Sequence, residues 1–141
     1  MTRLLLLAVI LAGCAAPVRA SEPHQVTVAG VIVPNGYGQW ELLGAPYHAS
    51  LGVDYVEVLQ NPPRIRLYLL FDATKVITMI CAPDEKLAQL GYECGASAGL
   101  STVDFYLSRP SGGGYVAVNP GAHSWPASSN LWFYGLMLTE D

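Results

Sequence analysis

Apolar and polar residues alternate with a period of two along most of the chain, and this alternation constrains the fold more than any other feature. In RIRLYLLF, residues 64–71, apolar side chains point to one side of a predicted strand, whereas Arg64, Arg66 and Tyr68 point to the other. Similar runs predict about seven strands, at residues 25–33, 54–60, 64–71, 75–82, 101–108, 114–120 and 130–138. Turn clusters separate most of them, so we expect a mostly β fold, a single antiparallel β-sandwich or barrel.

One segment, PDEKLAQLG at residues 83–91, has the pattern of a short helix instead. Proline and two acidic residues suit the first turn of a helix, and Gly91 suits its end. Leu87 and Leu90 are three residues apart, so we expect them to form the buried stripe of this helix.

The first residues, MTRLLLLAVILAGC, have the organisation of a secretory signal peptide. A positive residue, Arg3, precedes an apolar run from Leu4 to Leu11. This run is too short for a permanent membrane-spanning helix, which needs about 20 apolar residues. We therefore predict a signal peptide over residues 1–13.

The motif Leu11-Ala12-Gly13-Cys14 resembles the lipobox of bacterial lipoproteins, in which small residues precede an invariant cysteine. The resemblance implies cleavage before Cys14 and lipidation of its thiol. Ala15 follows the cysteine where an aspartate could stand, and in this the chain resembles outer-membrane lipoproteins. The resemblance implies that the protein is anchored in the outer membrane and faces the periplasm. Cleavage after Ala20 is the alternative, and it would leave a soluble secreted protein.

Two parts follow the predicted signal peptide: a short tether at residues 14–24 and one β-rich domain at residues 25–141. Three cysteines are an odd number for an exported chain. If Cys14 carries lipid, Cys81 and Cys94 remain as a pair, and we expect them to form a disulfide that flanks the short helix.

The chain carries few charges, and their balance is acidic. Charged residues make up 13% of the sequence, about half the usual share of roughly 25%. The formal net charge is −4 and becomes −5 once Arg3 leaves with the signal peptide. No basic patch is present to replace phosphate counterions, so we do not expect a nucleic-acid partner.

The segment Gly95-Ala96-Ser97-Ala98-Gly99 matches the G-x-S-x-G motif of serine hydrolases, and Asp104 and His123 follow in the chain order of those enzymes. The motif works as a strained turn between a strand and a helix. Here a short predicted helix precedes it and a predicted strand follows, so we interpret it as a turn. A small serine hydrolase with Ser97 as nucleophile, His123 as base and Asp104 orienting it stays an alternative hypothesis.

No pattern in the sequence predicts a metal site or a cofactor. Twelve residues lie between Cys81 and Cys94, far more than in a C-x₂-C pair, and the three histidines are scattered singly. Tetrahedral zinc sites draw on closely spaced pairs of cysteine or histidine. The two cysteines therefore favour a disulfide.

Aromatic residues in predicted loops are candidates for contact with a partner. Trp40, Tyr47 and Trp125 lie outside the clear strand runs, and tryptophan and tyrosine are common anchors of protein interfaces. Arg64 and Arg66 share one face of a predicted strand, which suits an acidic partner. Binding of a glycan through Trp40 and Trp125 is a further hypothesis.

These observations predict a lipid-anchored binding module of the cell envelope without catalytic activity, which contacts a protein partner in the periplasm. Its partners are expected to be the membrane, through the lipid anchor, and an envelope protein or an incoming protein. A periplasmic inhibitor of a lysozyme or toxin is the alternative within the same class.

Overall fold

The computed structural model describes residues 21–44, 50–122 and 124–140. Nine strands and one short helix occur in this part of the chain. They are β1 (His24–Pro34), β2 (Trp40–Leu42), β3 (Val53–Leu59), β4 (Arg64–Leu69), β5 (Lys75–Pro83), α1 (Glu85–Gln89), β6 (Glu93–Ala98), β7 (Thr102–Ser111), β8 (Gly114–Val118) and β9 (Leu131–Thr139). Each of the seven predicted strands is confirmed, with ends that differ by a few residues.

The strands form two antiparallel sheets in a sandwich-like arrangement, as the alternation predicts. The first sheet has the order β2-β1-β9-β5, and the second has the order β3-β4-β7-β6. β8 pairs with β7 beyond the end of β4, on the side of β7 opposite β6, since Leu107 pairs with both Cys94 and Val118. β9 lies between β1 and β5 and therefore holds the first sheet together.

The core lies between the sheets and is built from alternate residues of the strands. In β7, for example, Val103, Phe105 and Leu107 are buried, and they face Leu131 and Phe133 of β9 within one apolar cluster. Each such side chain contributes about 1.5–3 kcal/mol on burial. Because every second residue gains this burial energy, the alternation of apolar and polar residues determines the fold more than the local propensity of each segment does.

A different contact fastens the two sheets at each side of the sandwich. The expected disulfide is present, and it joins Cys81 of β5 to Cys94 of β6 with a Cα–Cα distance of 5.8 Å. At the opposite side, the Val58 backbone N–H donates to Gln39 Oε1 (3.1 Å), which connects the start of β2 to β3. Both pairs of facing edge strands are thus tied together.

The predicted helix is present but shorter than expected, and only one of its two leucines is buried. The Asp84 carboxylate caps it by accepting from the Leu87 backbone N–H (2.9 Å). Leu87 is fully buried, whereas Leu90 is 56% exposed. The expectation for Leu90 is wrong because α1 ends at Gln89, so Leu90 no longer keeps the helical period.

Two strands, β2 and β6, are not predicted from the sequence, and β6 contains the serine motif. β2 has three residues, which is too short for a periodic signal. β6 reads ECGASA, and its small side chains show no alternation. Pairing with β7 makes this segment extended, so the interpretation of residues 95–98 as a turn is wrong, and the turn lies at Gly99–Ser101.

Candidate functional site

The alternative catalytic residues do not occur in the setting that a nucleophile elbow requires. Ser97 lies within β6 and is paired directly with Asp104 of β7, so a strand rather than a helix follows it. The Asp104 carboxylate accepts hydrogen bonds from two arginines. His123 lies outside the described residues.

Arg64 and Arg66 both bind Asp104, which lies on the neighbouring strand. Arg66 donates from Nε (2.7 Å) and Nη2 (2.9 Å), one bond to each carboxylate oxygen, and Arg64 donates from Nε (3.2 Å). The Arg66 hydrogen bond holds the pKa of Asp104 below its ordinary value, and the same bond raises the pKa of Arg66. One side of the Arg66 guanidinium is therefore already engaged, which leaves less of it for the acidic partner predicted from the sequence.

A row of polar residues crosses the outer surface of the second sheet, where Tyr55 and Tyr106 are also exposed. This row, which we call the polar face, runs across β3, β4, β7 and β6 and consists of Glu57, Arg66, Asp104 and Ser97. Tyr68, next to this row, donates its hydroxyl to Glu57 Oε2 (2.9 Å). This bond raises the pKa of Tyr68.

The predicted loop tryptophans pack together at one end of the sandwich. Trp40 lies in β2, is only 2% exposed and donates from Nε1 to the Pro120 carbonyl (2.8 Å). Trp125 donates to the same carbonyl (2.9 Å) and meets Trp40 edge-on, with 5.3 Å between ring centroids. Trp40 is thus a core residue, which corrects the expectation of an exposed partner-binding ring.

Trp125 is partly exposed and forms a wall shared by two surface depressions. One has a volume of about 320 Å³ and lies between the β1–β2 turn and the loop before β9. The other, of about 220 Å³, lies beside Tyr92 and Arg109. Tyr47, the remaining aromatic candidate, lies outside the described residues.

The outer surface of the first sheet is apolar, in contrast to the polar face. Ile80 of β5 pairs with Tyr134 of β9, and Ala82 pairs with Trp132. Ile80 is 57% exposed, Trp132 47% and Tyr134 42%. We call Ile80, Trp132 and Tyr134 the β5–β9 face; Ile77, at the register shift in β5, is exposed close to it.

Charge is almost absent from the strands that form the β5–β9 face. Lys75, at the start of β5, is the one charged residue in the two strands. Leu131, Phe133 and the other inward residues of β9 are buried, so the outward rings of the same strand are not needed for the core. This is the composition of an interface centre, which is poor in charge and rich in aromatic rings.

The β5–β9 face is not among the surfaces predicted from the sequence, although the sequence contains a signal for it. In NLWFYGLML both alternating sets of residues are apolar. A strand at the surface of a sandwich needs only one apolar set. The second set therefore indicates an outward apolar surface, but the sequence does not tell which set points outward.

Neither metal ligands nor a membrane-spanning segment is found among the described residues. No three histidine, cysteine or acidic side chains gather there as a group that could hold a metal ion. In the same residues, no helix has the length and apolar character needed to cross a membrane.

Comparison with known proteins finds no likeness to guide the assignment. A scan against protein-family models gives no match, and searches of curated proteins and of solved structures give no significant match either. The function therefore has to be inferred from the residues of this chain.

Proposed function

We propose that this protein is a non-enzymatic binding module of the bacterial cell envelope, which contacts a protein partner through the β5–β9 face. The observation that carries the proposal is the difference between the two outer surfaces of the sandwich. One surface pairs its own charges, whereas the other exposes Ile80, Trp132 and Tyr134 side by side.

Exposed aromatic rings on paired strands support a protein contact. Tryptophan and tyrosine are enriched among the residues that dominate binding energy, and they act best where neighbouring groups exclude water. Both rings project from β9, which β1 and β5 hold on either side. The neighbouring strands fix the backbone of this surface, so little backbone ordering entropy is lost when it binds.

A protein partner suits this surface better than an anionic lipid surface does. Binding to anionic membranes is strengthened by lysine and arginine near the contact. The two strands of the face supply a single lysine, and the whole chain has a net charge of −4. An uncharged apolar patch on a protein is the matching partner chemistry.

Site-specific photocrosslinking in the producing cell tests the proposal. A photoreactive phenylalanine analogue at position 134 should give an adduct with one protein of defined mass. The same analogue at Tyr55, on the outer surface of the second sheet, 49% exposed and on the edge strand farthest from β6, is the matched control and should give none. Ile80→Lys should abolish the adduct at position 134, because it places a charge beside the ring.

The outcomes distinguish the proposal from its alternatives. Equal adducts at positions 134 and 55, or an adduct that survives Ile80→Lys, would contradict binding through the β5–β9 face. If the captured partner is a lysozyme or toxin and its activity is lost on binding, the protein is an inhibitor. If it is an envelope protein, the module belongs to an assembly.

A further inference from the structure

Strand β6, which contains the serine motif, forms a free edge of the second sheet. It pairs with β7 on one side, and no other strand pairs with it among the described residues. Gly95, Ala96 and Ser97 are exposed, and an added Cβ at Gly95 would meet no atom within 4 Å. β5 of the first sheet approaches β6 at the Cys81–Cys94 disulfide, but the exposure of residues 95–97 leaves this part of the edge accessible to another extended chain.

Three of the other sheet edges in the sandwich carry features that discourage such pairing, and the remaining one, β8, has only five residues and lies beyond the end of β4. Charged residues, prolines, short strands and bulges all protect edges. β2 is short; β3 carries Asp54 and a register shift, and β5 carries Lys75 and a register shift. From Gly95 to Ala98, β6 has no charge, no proline and no register shift.

The β6–β7 pairing determines which backbone groups of β6 face outward. The Gly99 N–H donates to the Thr102 carbonyl (2.8 Å). Hydrogen-bonded and non-bonded pairs alternate along an antiparallel ladder. Ala98, Ala96 and Cys94 are therefore the residues that direct their N–H and carbonyl groups away from β7.

From this geometry we propose that two copies of the chain associate by antiparallel pairing of their β6 edges, with Ala96 at the two-fold axis. The two second sheets then form one continuous sheet across the dimer. In this register Gly95 lies opposite Ser97 of the second copy, and Cys94 lies opposite Ala98. Only small side chains meet, so the two backbones can approach to hydrogen-bonding distance.

Charge and apolar contacts favour a second copy as the occupant of this edge. The single charged residue of β6, Glu93, falls opposite the uncharged Gly99 of the other copy, so like charges do not meet. Two exposed leucines flank the edge, Leu90 (56%) and Leu100 (55%). The two-fold axis brings Leu100 of one copy beside the Leu90–Tyr92 turn of the other, where both leucines lose exposure.

Sedimentation equilibrium of the purified chain, over roughly 10 μM to 1 mM, tests the pairing in the range of weak specific affinities. The wild-type chain should approach twice its monomer mass. Ala96→Pro should raise the dissociation constant at least about tenfold, because it removes one intermolecular hydrogen bond from each copy. Proline at this position leaves the β6–β7 ladder intact, since the Ala96 N–H faces outward, so the melting temperature should hardly change.

Leu100→Ser is a second variant that does not touch the strand ladder, and it should also weaken the dimer. Ile77→Ser is its matched control, because Ile77 is 51% exposed but lies at the β5–β9 face. A monomeric wild type, or association that survives both Ala96→Pro and Leu100→Ser, would overturn the proposal. Loss of association in Ile77→Ser alone would place the contact on the β5–β9 face instead. The pairing is independent of the proposed function, because photocrosslinking at position 134 reports on the other sheet.

Discussion

At the scale of single residues, Asp104 shows most clearly how a group with an apparent catalytic role serves the structure. Its carboxylate accepts three hydrogen bonds from Arg64 and Arg66. All three side chains are largely covered, with 15%, 27% and 14% of Arg64, Arg66 and Asp104 exposed. Removing the carboxylate charge would leave two partly buried guanidinium groups without their partner.

Asp104→Asn is therefore expected to lower the free energy of unfolding by about 1–3 kcal/mol, because hydrogen bonds to charged groups are among the stronger ones. Chemical denaturation at neutral pH measures this change. Asp54→Asn, at an exposed position, is the control and should change stability by less than about 0.5 kcal/mol. Equal effects of the two substitutions would contradict the role of the Asp104 network.

The same carboxylate makes stability depend on pH. Its folded-state pKa lies below the ordinary value of 3.8. The contribution of the ion pair is therefore fully present above about pH 4 and is lost as pH falls through the lower folded-state pKa. Between pH 5 and pH 2.5 the wild type should lose more stability than Asp104→Asn, as thermal unfolding at each pH would reveal; parallel losses would argue against this assignment.

At the scale of elements, the helix provides a matched pair of substitutions. Leu87 is fully buried and Leu90 is more than half exposed, although they are three residues apart. Leu87→Ala should cost about 2–5 kcal/mol of stability, because it opens a cavity in the core. Leu90→Ala should cost less than about 0.5 kcal/mol, measured by denaturation at low protein concentration. A comparable loss in both variants would mean that Leu90 packs into the core as well.

Most elements could be predicted from the sequence, because strands such as β4 and β7 alternate buried apolar residues with more exposed ones. β6 could not, since Gly95, Ala96 and Ser97 differ too little in polarity to show a period. Its extended form comes from pairing with β7. The residues of β6 alone do not indicate this contact with another strand. The outward position of Trp132 and Tyr134 could not be predicted either, because outward and inward residues of β9 are both apolar.

At the scale of the whole molecule, the two outer surfaces of the sandwich differ in a way that suggests one direction of binding. The polar face pairs Arg66 with Asp104 and Tyr68 with Glu57, whereas the β5–β9 face exposes apolar and aromatic side chains. The predicted lipidation of Cys14 would hold the module near a membrane by a short tether, from which it could present one apolar surface to a neighbouring protein. Such a tether raises the effective concentration of both partners.

Lipidation of Cys14, which lies outside the described residues, stays a prediction and can be tested directly. Cys14→Ser should move the protein from the membrane fraction to the soluble fraction and abolish incorporation of a labelled fatty acid. Cys81→Ser combined with Cys94→Ser is the control and should leave attachment unchanged, because these cysteines form the disulfide. A mature wild-type chain that begins at Ser21 and remains soluble would support cleavage after Ala20 instead.

The central place of β9 in the first sheet has a consequence for the order of folding. β1 and β5 do not pair with each other and meet only through β9, which follows both of them in the chain. As the chain emerges N-terminus first in the compartment where it folds, these two strands keep their apolar sides exposed until Leu131–Thr139 follows. Cys81 and Cys94 are both available earlier, so the disulfide can form while the first sheet is still incomplete. The chain is therefore most exposed to aggregation in the interval before its ninth strand arrives.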